Sequence, residues 1–228
     1  MRHCDFPAVH SLPLLREARA ATVDELLKDA VLQRFHKQQT VINEGETPQF
    51  LHILIEGMVE FFANHNDQET TIDVVKGSVP LALVAVVSDT MSLYSARTIA
   101  PSVMVLFRAN AIRAASARDA DFAQAVLNEI ALRYHGSIRA LKNMKLRTSA
   151  ERVANWILQA VNTGNGERFE LECDKRTVAS RLGMTPENFS RNLALLTKYG
   201  VRKSGRDILI DNPIALTQFA KPNQLLDG

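Results

Sequence analysis

The chain has 228 residues, of which 46% are hydrophobic and 23% are charged, and its formal net charge is +2. This composition is typical of a globular protein with enough chain for one large domain or two small ones, and it excludes a membrane-spanning helix, which needs roughly 20 consecutive apolar residues. Because the N-terminal residues lack a signal-peptide pattern and the cysteines are Cys4 and Cys173, we expect a cytoplasmic protein without a disulfide framework.

The first half of the chain predicts a mainly β domain. Residues 11–34 have the pattern of short helical segments. From about residue 35 to residue 108, short runs rich in β-branched and aromatic residues alternate with Gly, Pro, Asn and Asp. Short, evenly spaced strands of this kind are typical of an antiparallel barrel or sandwich.

A long helical pattern follows over residues 116–146. One set of side chains recurs at alternating spacings of three and four, as in the seam of a coiled coil: Leu127, Ile130, Tyr134, Ser137, Leu141 and Met144. Such a helix can simply pack against its own β domain. However, Phe122, Ile138 and Leu146 lie to one side of the seam and could cover that domain, which would leave the seam for a second copy. Both interpretations stay open, and the second predicts a parallel homodimer.

The C-terminal third has the pattern of a helix-turn-helix. Asp174 and Thr185 are suitable N-caps for two successive helices, and Pro186 suits the first turn of the second helix. Small and apolar residues have the spacing of the shared core: Val178, Ala179, Leu182, Gly183 and Phe189. A Ser-Gly turn before an apolar run then predicts a β-hairpin, or wing. The domain boundary is expected near residues 146–149.

This C-terminal region is also basic. Residues 174–206 contain eight Lys and Arg residues against Asp174 and Glu187, although the whole chain is nearly neutral. Concentrated positive charge is typical of a surface that binds a polyanion. The pattern therefore predicts a helix-turn-helix that binds DNA rather than one that contacts another protein.

Three polar residues, Glu187, Ser190 and Arg191, lie together on the first two turns of the second helix. A Glu can accept a hydrogen bond from cytosine, an Arg can donate two bonds to guanine, and a short hydroxyl suits a neighbouring base or phosphate. We therefore expect these residues to contact base edges. Contacts to DNA phosphates, which hold the protein in register, are expected from Arg176, Arg181, Lys203 and Arg206.

The order of a β-roll, a long helix, a hinge helix and a winged helix-turn-helix resembles the CRP/FNR superfamily of bacterial transcription regulators. The resemblance extends from about Leu12 to Leu216 and includes INEGE…LHILIEGMVEFF, LRTSAERVANWIL and GVRKSGRDILIDNPIAL. It implies an α+β fold with an N-terminal antiparallel β-roll of the cyclic-nucleotide-binding kind. The implied domains are a sensor or effector domain (1–115), a long dimerisation helix (116–146) and a C-terminal winged helix-turn-helix domain that binds DNA (147–228).

The resemblance also implies a function. The E-x-x-S-R pattern of residues 187–191 matches recognition helices of FNR type, whereas the cyclic-AMP receptor has Gly where Ser190 stands. It implies a homodimer on double-stranded palindromic DNA with TTGAT-like half-sites, and RNA polymerase as a partner in transcription activation. No paired carboxylates, nucleophile–base set or metal-ligand cluster in the sequence indicates an enzyme.

The effector pocket implied by the resemblance is degenerate. Members that bind a cyclic nucleotide carry a Gly-Glu-Leu turn and an Arg-Ser-Ala segment. Here Leu81, Ala82 and Tyr94 replace the Gly, Glu and Arg, and Ser95 is retained. A phosphate site needs a positive partner and exposed backbone N–H groups, and Arg97, three residues along a strand from Tyr94, points to the opposite face. We expect that cyclic AMP does not bind.

The identity of the cofactor stays open. Two cysteines are too few for the four-thiolate [4Fe–4S] cluster of FNR. The apolar stretch at residues 79–87 is similar to the hydrophobic pocket of relatives in which haem is implicated as a nitric oxide sensor, and the candidate axial ligands are His10, His36, His52, His65 and His135. His52 alternates with apolar neighbours in a strand, which favours a structural role. A haem-dependent nitric oxide or redox sensor and a cyclic-nucleotide-binding module that acts through protein contact are the alternatives.

Overall fold

The computed structural model describes residue 9, residues 12–164 and residues 168–227. Cys4 and His10 lie outside these described residues. The chain divides into two compact units, Met1–Arg133 and Tyr134–Gly228, and the division falls within a long helix. Within the described ranges, no helix is both long enough and apolar enough to cross a membrane.

The first unit is mainly β. Its helices are α1 (Pro13–Arg16), α2 (Ala20–Lys28), α3 (Leu83–Ser88), α4 (Ala109–Arg118) and the N-terminal part of α5 (Ala120–Leu146). Its strands are β1 (Val31–Phe35), β2 (Thr40–Ile42), β3 (Phe50–Glu56), β4 (Met58–His65), β5 (Gln68–Lys76), β6 (Val79–Leu81), β7 (Ser95–Thr98) and β8 (Ser102–Arg108). They form two four-stranded antiparallel sheets, in the orders β1-β8-β3-β6 and β2-β7-β4-β5. The predicted antiparallel β-roll and the α+β class are confirmed.

One expectation for this unit is wrong. The pattern of residues 11–34 predicts helical segments throughout, whereas β1 begins at Val31. The strand pairs along its whole length with β8, from Val31 opposite Leu106 to Phe35 opposite Ser102. Because this strand depends on a partner far away in the sequence, its local residue pattern does not reveal it.

Two tight connections show how local residues shape the sheets. Asn66 and Asp67, between β4 and β5, have φ angles of 49° and 60°, as a type I′ hairpin turn requires. Gly57, between β3 and β4, has a φ angle of 99°, and a Cβ atom there would lie 2.5 Å from the carbonyl oxygen of Pro101. Only glycine therefore allows this close approach.

Alternation along the strands separates two hydrophobic clusters. In β3, Ile53 belongs to a cluster between the first sheet and the helices, whereas Leu54 belongs to a cluster inside the β-roll. Phe122 of α5 is buried in the first cluster, as predicted. Ile138 and Leu146, the other two residues that could cover the β domain, are exposed. Both lie beyond Arg133, where the first unit ends.

A buried carboxylate fixes the start of α5. Asp119 accepts hydrogen bonds from the backbone N–H groups of Asp121 and Phe122 at 3.0 and 3.2 Å, as a helix N-cap does. It also accepts from the Thr22 hydroxyl at 2.7 Å and from the Arg19 backbone N–H at 2.9 Å. The Thr22 bond is the main reason that the pKa of Asp119 is lowered to about 2. The ionised side chain therefore joins α2 to α5.

The second unit combines the C-terminal part of α5 with a small α/β module. Its further elements are α6 (Ser149–Gly164), β9 (Arg168–Glu170), α7 (Lys175–Arg181), α8 (Pro186–Leu196), β10 (Val201–Ser204), β11 (Asp207–Ile210), α9 (Pro213–Ala220) and α10 (Gln224–Asp227). The strands form an antiparallel sheet in the order β10-β11-β9. Arg147 and Thr148 separate α5 from α6, where the sequence predicts a hinge.

Candidate nucleic-acid interface and effector pocket

Helices α7 and α8 form the predicted helix-turn-helix. The Asp174 carboxylate accepts from the Thr177 backbone N–H at 2.8 Å, and the Thr185 hydroxyl accepts from the Asn188 N–H at 3.2 Å. Both predicted N-caps are therefore confirmed. Gly183, between the two helices, has a φ angle of 64°, a left-handed conformation that glycine adopts without strain.

One side of α8 is buried and the other is exposed. Phe189, Leu193 and Leu196 are buried in the core of the module. The residues exposed on the opposite side recur with helical periodicity: Glu187, Ser190, Arg191, Ala194 and, just beyond the helix, Lys198. The three predicted base-contacting residues thus share one exposed face. Sequence reasoning does not single out Ala194, although its position seven residues after Glu187 is a signal for this face.

Local hydrogen bonds define the chemistry of that face. The backbone N–H of Glu187 itself, and next the Thr185 hydroxyl, lower the pKa of Glu187. Its side chain is therefore an ionised hydrogen-bond acceptor. The Ser190 hydroxyl donates to the Pro186 carbonyl at 2.9 Å, so its oxygen can accept a further bond. Arg191 adds a donor of opposite charge one helical turn from Glu187.

Two lysines meet beside the helix-turn-helix. Lys175 is the first residue of α7, and Lys203 lies in β10. A hydrogen bond with the Lys175 amino group, next burial, and last the like charge of Lys175 lower the pKa of Lys203. Sequence reasoning identifies Lys203 but misses Lys175, because only the fold brings the two together. Arg176 and Arg181, the other candidates on α7, are exposed.

Other cations of the wing are paired with acids in or directly after the strands of the same sheet. Arg206 forms an ion pair with Glu170 at 3.0 Å and donates to the Leu171 carbonyl at 2.5 Å. Arg202 donates two hydrogen bonds to Asp211, at 2.8 and 3.0 Å. Both acids lie outside the basic segment of the sequence. These two acids offset the charge of Arg202 and Arg206. The folded wing therefore presents less positive charge than the sequence of residues 174–206 alone indicates.

The α5 seam is largely exposed in the chain. Its exposed members are Leu127, Tyr134, Ser137, Leu141 and Met144. Ile130 differs, because it packs against the cluster between the first sheet and the helices. Met144 also lies over the turn of the helix-turn-helix, since a Cβ atom on Gly183 would overlap the Met144 side chain. A stripe of exposed apolar side chains typically marks a contact surface.

The four residues of the predicted degenerate pocket already have partners within the chain. Leu81 is fully buried. Ala82 has a φ angle of 51°, and its backbone N–H donates to the Tyr94 hydroxyl at 2.9 Å. The Tyr94 ring stacks on Phe61 with a centroid distance of 4.5 Å, and burial raises the pKa of Tyr94. Ser95 accepts a backbone N–H bond at 3.0 Å from the loop between β2 and β3.

Arg97 lies on the opposite face, as the sequence predicts. Its guanidinium forms ion pairs with Glu60 and Glu69 at 2.8 and 2.7 Å and lies 4.3 Å from the centroid of the Phe62 ring. The hydrogen bonds to Glu69, and then to Glu60, raise the pKa of Arg97. This positive charge is therefore engaged on the far side of the sheet from Tyr94.

Two family models match the chain. A cyclic nucleotide-binding domain matches residues 32–119, and a Crp-like helix-turn-helix domain matches residues 151–219. The chain belongs to the CRP/FNR superfamily. It is a DNA-binding transcription regulator of the CRP/FNR type.

Solved structures of CRP/FNR proteins are similar over most of the chain. DNR from Pseudomonas aeruginosa is 25% identical with a TM-score of 0.51, and the match covers 96% of this chain and 99% of DNR. FixK2 from Bradyrhizobium japonicum is 19% identical with a TM-score of 0.72, covering 83% and 96%. A Crp/Fnr-family regulator from Eubacterium rectale is 15% identical with a TM-score of 0.75, covering 92% and 98%. The last two show the fold alone. No curated protein matches the chain.

Four candidate haem ligands lie within the described residues. Three of them, His36, His65 and His135, are exposed. His52 is partly buried between its cross-strand neighbours Leu81 and Leu106, and burial lowers its pKa to about 4. Its Nδ1 atom is buried without a hydrogen-bond partner among the described residues. However, buried apolar side chains fill the β-roll interior around it, so His52 does not fit an axial ligand of haem.

Proposed function

We propose that this regulator binds palindromic double-stranded DNA with TTGAT-like half-sites through the exposed face of α8. The observation that carries the proposal is the placement of Glu187, Ser190 and Arg191 on one exposed face. Arg191 would donate two bonds to a guanine, and the Glu187 carboxylate would accept from a cytosine N4. The Ser190 oxygen is suited to a neighbouring base or phosphate.

Phosphate contacts would surround this face. We assign them to Arg176, Arg181 and Lys203, and we add Lys175 because it lies beside Lys203. Arg206 belongs to the set with a smaller role, since part of its guanidinium is held by Glu170 and Leu171. These contacts would hold the protein in register without reading sequence.

A homodimer would present two such faces to one palindrome. The proposed interface is the α5 seam: Leu127, Ile130, Tyr134, Ser137, Leu141 and Met144. Two recognition helices related by a two-fold axis would enter successive major grooves about one helical turn apart. In this arrangement, residues 1–115 would sense the signal, residues 116–146 would form the dimer and residues 147–228 would bind DNA. RNA polymerase would be the partner of the DNA-bound dimer in transcription activation.

We further propose that the β-roll does not bind cyclic AMP. The Ala82 N–H is already satisfied by Tyr94, and the side chain of Arg97 is held by two carboxylates on the other face. A phosphate entering beside Ala82 would have to displace a buried tyrosine, and Arg133, whose charge acts on Tyr94, is already paired with Glu129 at 2.8 Å. The signal would instead shift the populations of two arrangements of the dimer.

The test of the proposed function is binding of the full chain to a TTGAT-N4-ATCAA duplex, followed by fluorescence anisotropy. The expected result is tighter binding than to a scrambled duplex of the same composition, with one dimer bound per palindrome. Equal affinity for the two duplexes would contradict the proposed half-site. A monomer on the palindrome, measured by light scattering, would contradict the proposed interface.

A further inference from the structure

The junction between α5 and α6 is held by the C-terminal end of the chain. The guanidinium of Arg147 and the carboxylate of Asp227 form two parallel hydrogen bonds, Nη1 to Oδ1 at 2.6 Å and Nη2 to Oδ2 at 2.7 Å. Their side chains are only 5% and 13% exposed. A buried bidentate pair of this kind is short and directional, and it favours one orientation of its two partners.

Neighbouring contacts extend this attachment to both helices of the junction. From α5, the Lys142 amino group donates to the Leu225 carbonyl at 3.0 Å. From α6, the Gln159 amide lies 3.4 Å from the Asp227 carboxylate. The same carboxylate accepts from the Asn223 backbone N–H at 2.7 Å. Residues 223–227, which we call the C-terminal latch, thus touch the end of α5, the junction and α6.

The junction is also connected to the helix-turn-helix. Arg152, a buried residue of α6, donates to the Arg147 carbonyl at 2.8 Å and to the Leu182 carbonyl at 2.8 Å. It also donates to the Gly183 carbonyl at 3.3 Å. Arg147 therefore contacts the latch through its side chain and, through Arg152, the turn that precedes α8.

We propose that Asp227 is a positioning residue for DNA binding, because it holds the junction in the geometry that presents α8 to DNA. The proposal rests on the proposed dimeric binding to a palindrome. In such a dimer, one DNA-binding module binds its half-site first. The other module then meets the second half-site at an effective concentration that depends on how firmly the junction orients it. Loss of the latch would free the junction and would weaken simultaneous binding of both half-sites more than binding of one.

The test compares full-length Asp227→Asn and Asp227→Ala with Leu225→Ala as a matched control. The Leu225 side chain is 73% exposed, and Leu225 takes part in the latch through its backbone, with the carbonyl bonded to Lys142 and the N–H to the Asn223 side chain. Each protein is titrated with the palindrome and with a duplex that carries one half-site. For both Asp227 variants we expect affinity for the palindrome to fall about tenfold, equivalent to about 1.4 kcal/mol, with single-site affinity unchanged. Leu225→Ala should behave as wild type on both duplexes.

Two outcomes of the DNA titrations would overturn the proposal. Equal losses on both duplexes would mean that Asp227 only supports the fold of the DNA-binding module, and no loss on the palindrome would mean that the latch does not act in binding. Fluorescence of Trp156, the single tryptophan, checks that fold, because its ring lies edge-on to Phe189 at a centroid distance of 5.9 Å.

A second measurement separates this proposal from the proposed function. Amide hydrogen exchange of residues 147–152 without DNA should become faster in Asp227→Asn and stay unchanged in Leu225→Ala. If wild-type protein does not distinguish the palindrome from scrambled DNA, the proposed half-site is wrong, and the exchange rates still test the latch. Unchanged exchange in Asp227→Asn would overturn the latch whatever the DNA result.

Discussion

The hydroxyl of Tyr94 accepts a hydrogen bond of 2.9 Å from the backbone N–H of Ala82, at the position where the family resemblance implies the ligand turn of members that bind a cyclic nucleotide. The Tyr94 ring is at the same time stacked on Phe61. The β-roll therefore satisfies this backbone donor with one of its own side chains.

Tyr94→Phe should lower the free energy of unfolding by about 1–3 kcal/mol, because it keeps the ring and leaves the Ala82 N–H buried without an acceptor. Denaturant unfolding measures the change. Tyr199→Phe is the matched control, since the Tyr199 ring is likewise stacked on a phenylalanine, Phe219, but its hydroxyl has no hydrogen-bond partner among the described residues, and the substitution should have little effect. Equal stability of Tyr94→Phe and wild type would show that the hydrogen bond contributes nothing.

Cyclic AMP should leave the melting temperature of the wild-type protein unchanged at millimolar concentration. A ligand that binds the folded state raises the melting temperature by mass action, so the absence of a shift indicates that the site is closed. Thermal melts with increasing nucleotide provide the measurement. A saturable rise would contradict the interpretation of Tyr94 as the group that fills this place.

Arg191→Ala should reduce discrimination between the palindrome and scrambled DNA by about 1–3 kcal/mol, because a bidentate contact to a base edge is lost. Anisotropy titrations with both duplexes give the two affinities. Lys203→Ala is the comparison: it should weaken both duplexes alike and reduce the slope of log K against log salt by about 1. If Arg191→Ala also lowers the affinity for both duplexes equally, the Arg191 side chain contacts a phosphate rather than a base.

Leu141→Glu should convert the proposed dimer to monomer, because it places a charge in the apolar seam of α5. Light scattering measures the mass in solution, and binding to the palindrome should weaken in parallel. Leu132→Glu is a matched control, since Leu132 is also exposed, at 61% against 51% for Leu141, but lies off the seam. Dissociation by Leu132→Glu alone would place the interface on the other side of the helix.

His52 should make the protein less stable in mild acid. Its pKa is about 4 in the folded chain and 6.5 in the absence of burial. Between these values the unfolded chain binds a proton that the folded chain does not, so the free energy of unfolding falls as the pH is lowered from 6.5 to 4, by an amount on the order of 3 kcal/mol. Urea unfolding at several pH values tests this, and His52→Leu should remove that part of the pH dependence. An identical pH profile for the variant would refute the assignment.

The features predicted correctly from the sequence depend on neighbours along the chain. The caps Asp174 and Thr185 each contact a backbone group three residues away. The buried and exposed faces of α8 follow from helical periodicity alone. The same applies to the break between α5 and α6 at Arg147, and to the opposite directions of Tyr94 and Arg97 around one strand.

The sequence by itself therefore determined the class of fold, the helix-turn-helix and the residues that share its exposed face, because these follow from local periodicity, capping and spacing. Only the tertiary structure decided which charges are available and which are engaged. Arg206 meets Glu170, Lys175 meets Lys203, and Arg147 meets Asp227 through folding of distant segments. Ion pairs and hydrogen bonds between distant residues leave no periodic signal, since their strength depends on the distance and burial that the folded chain creates.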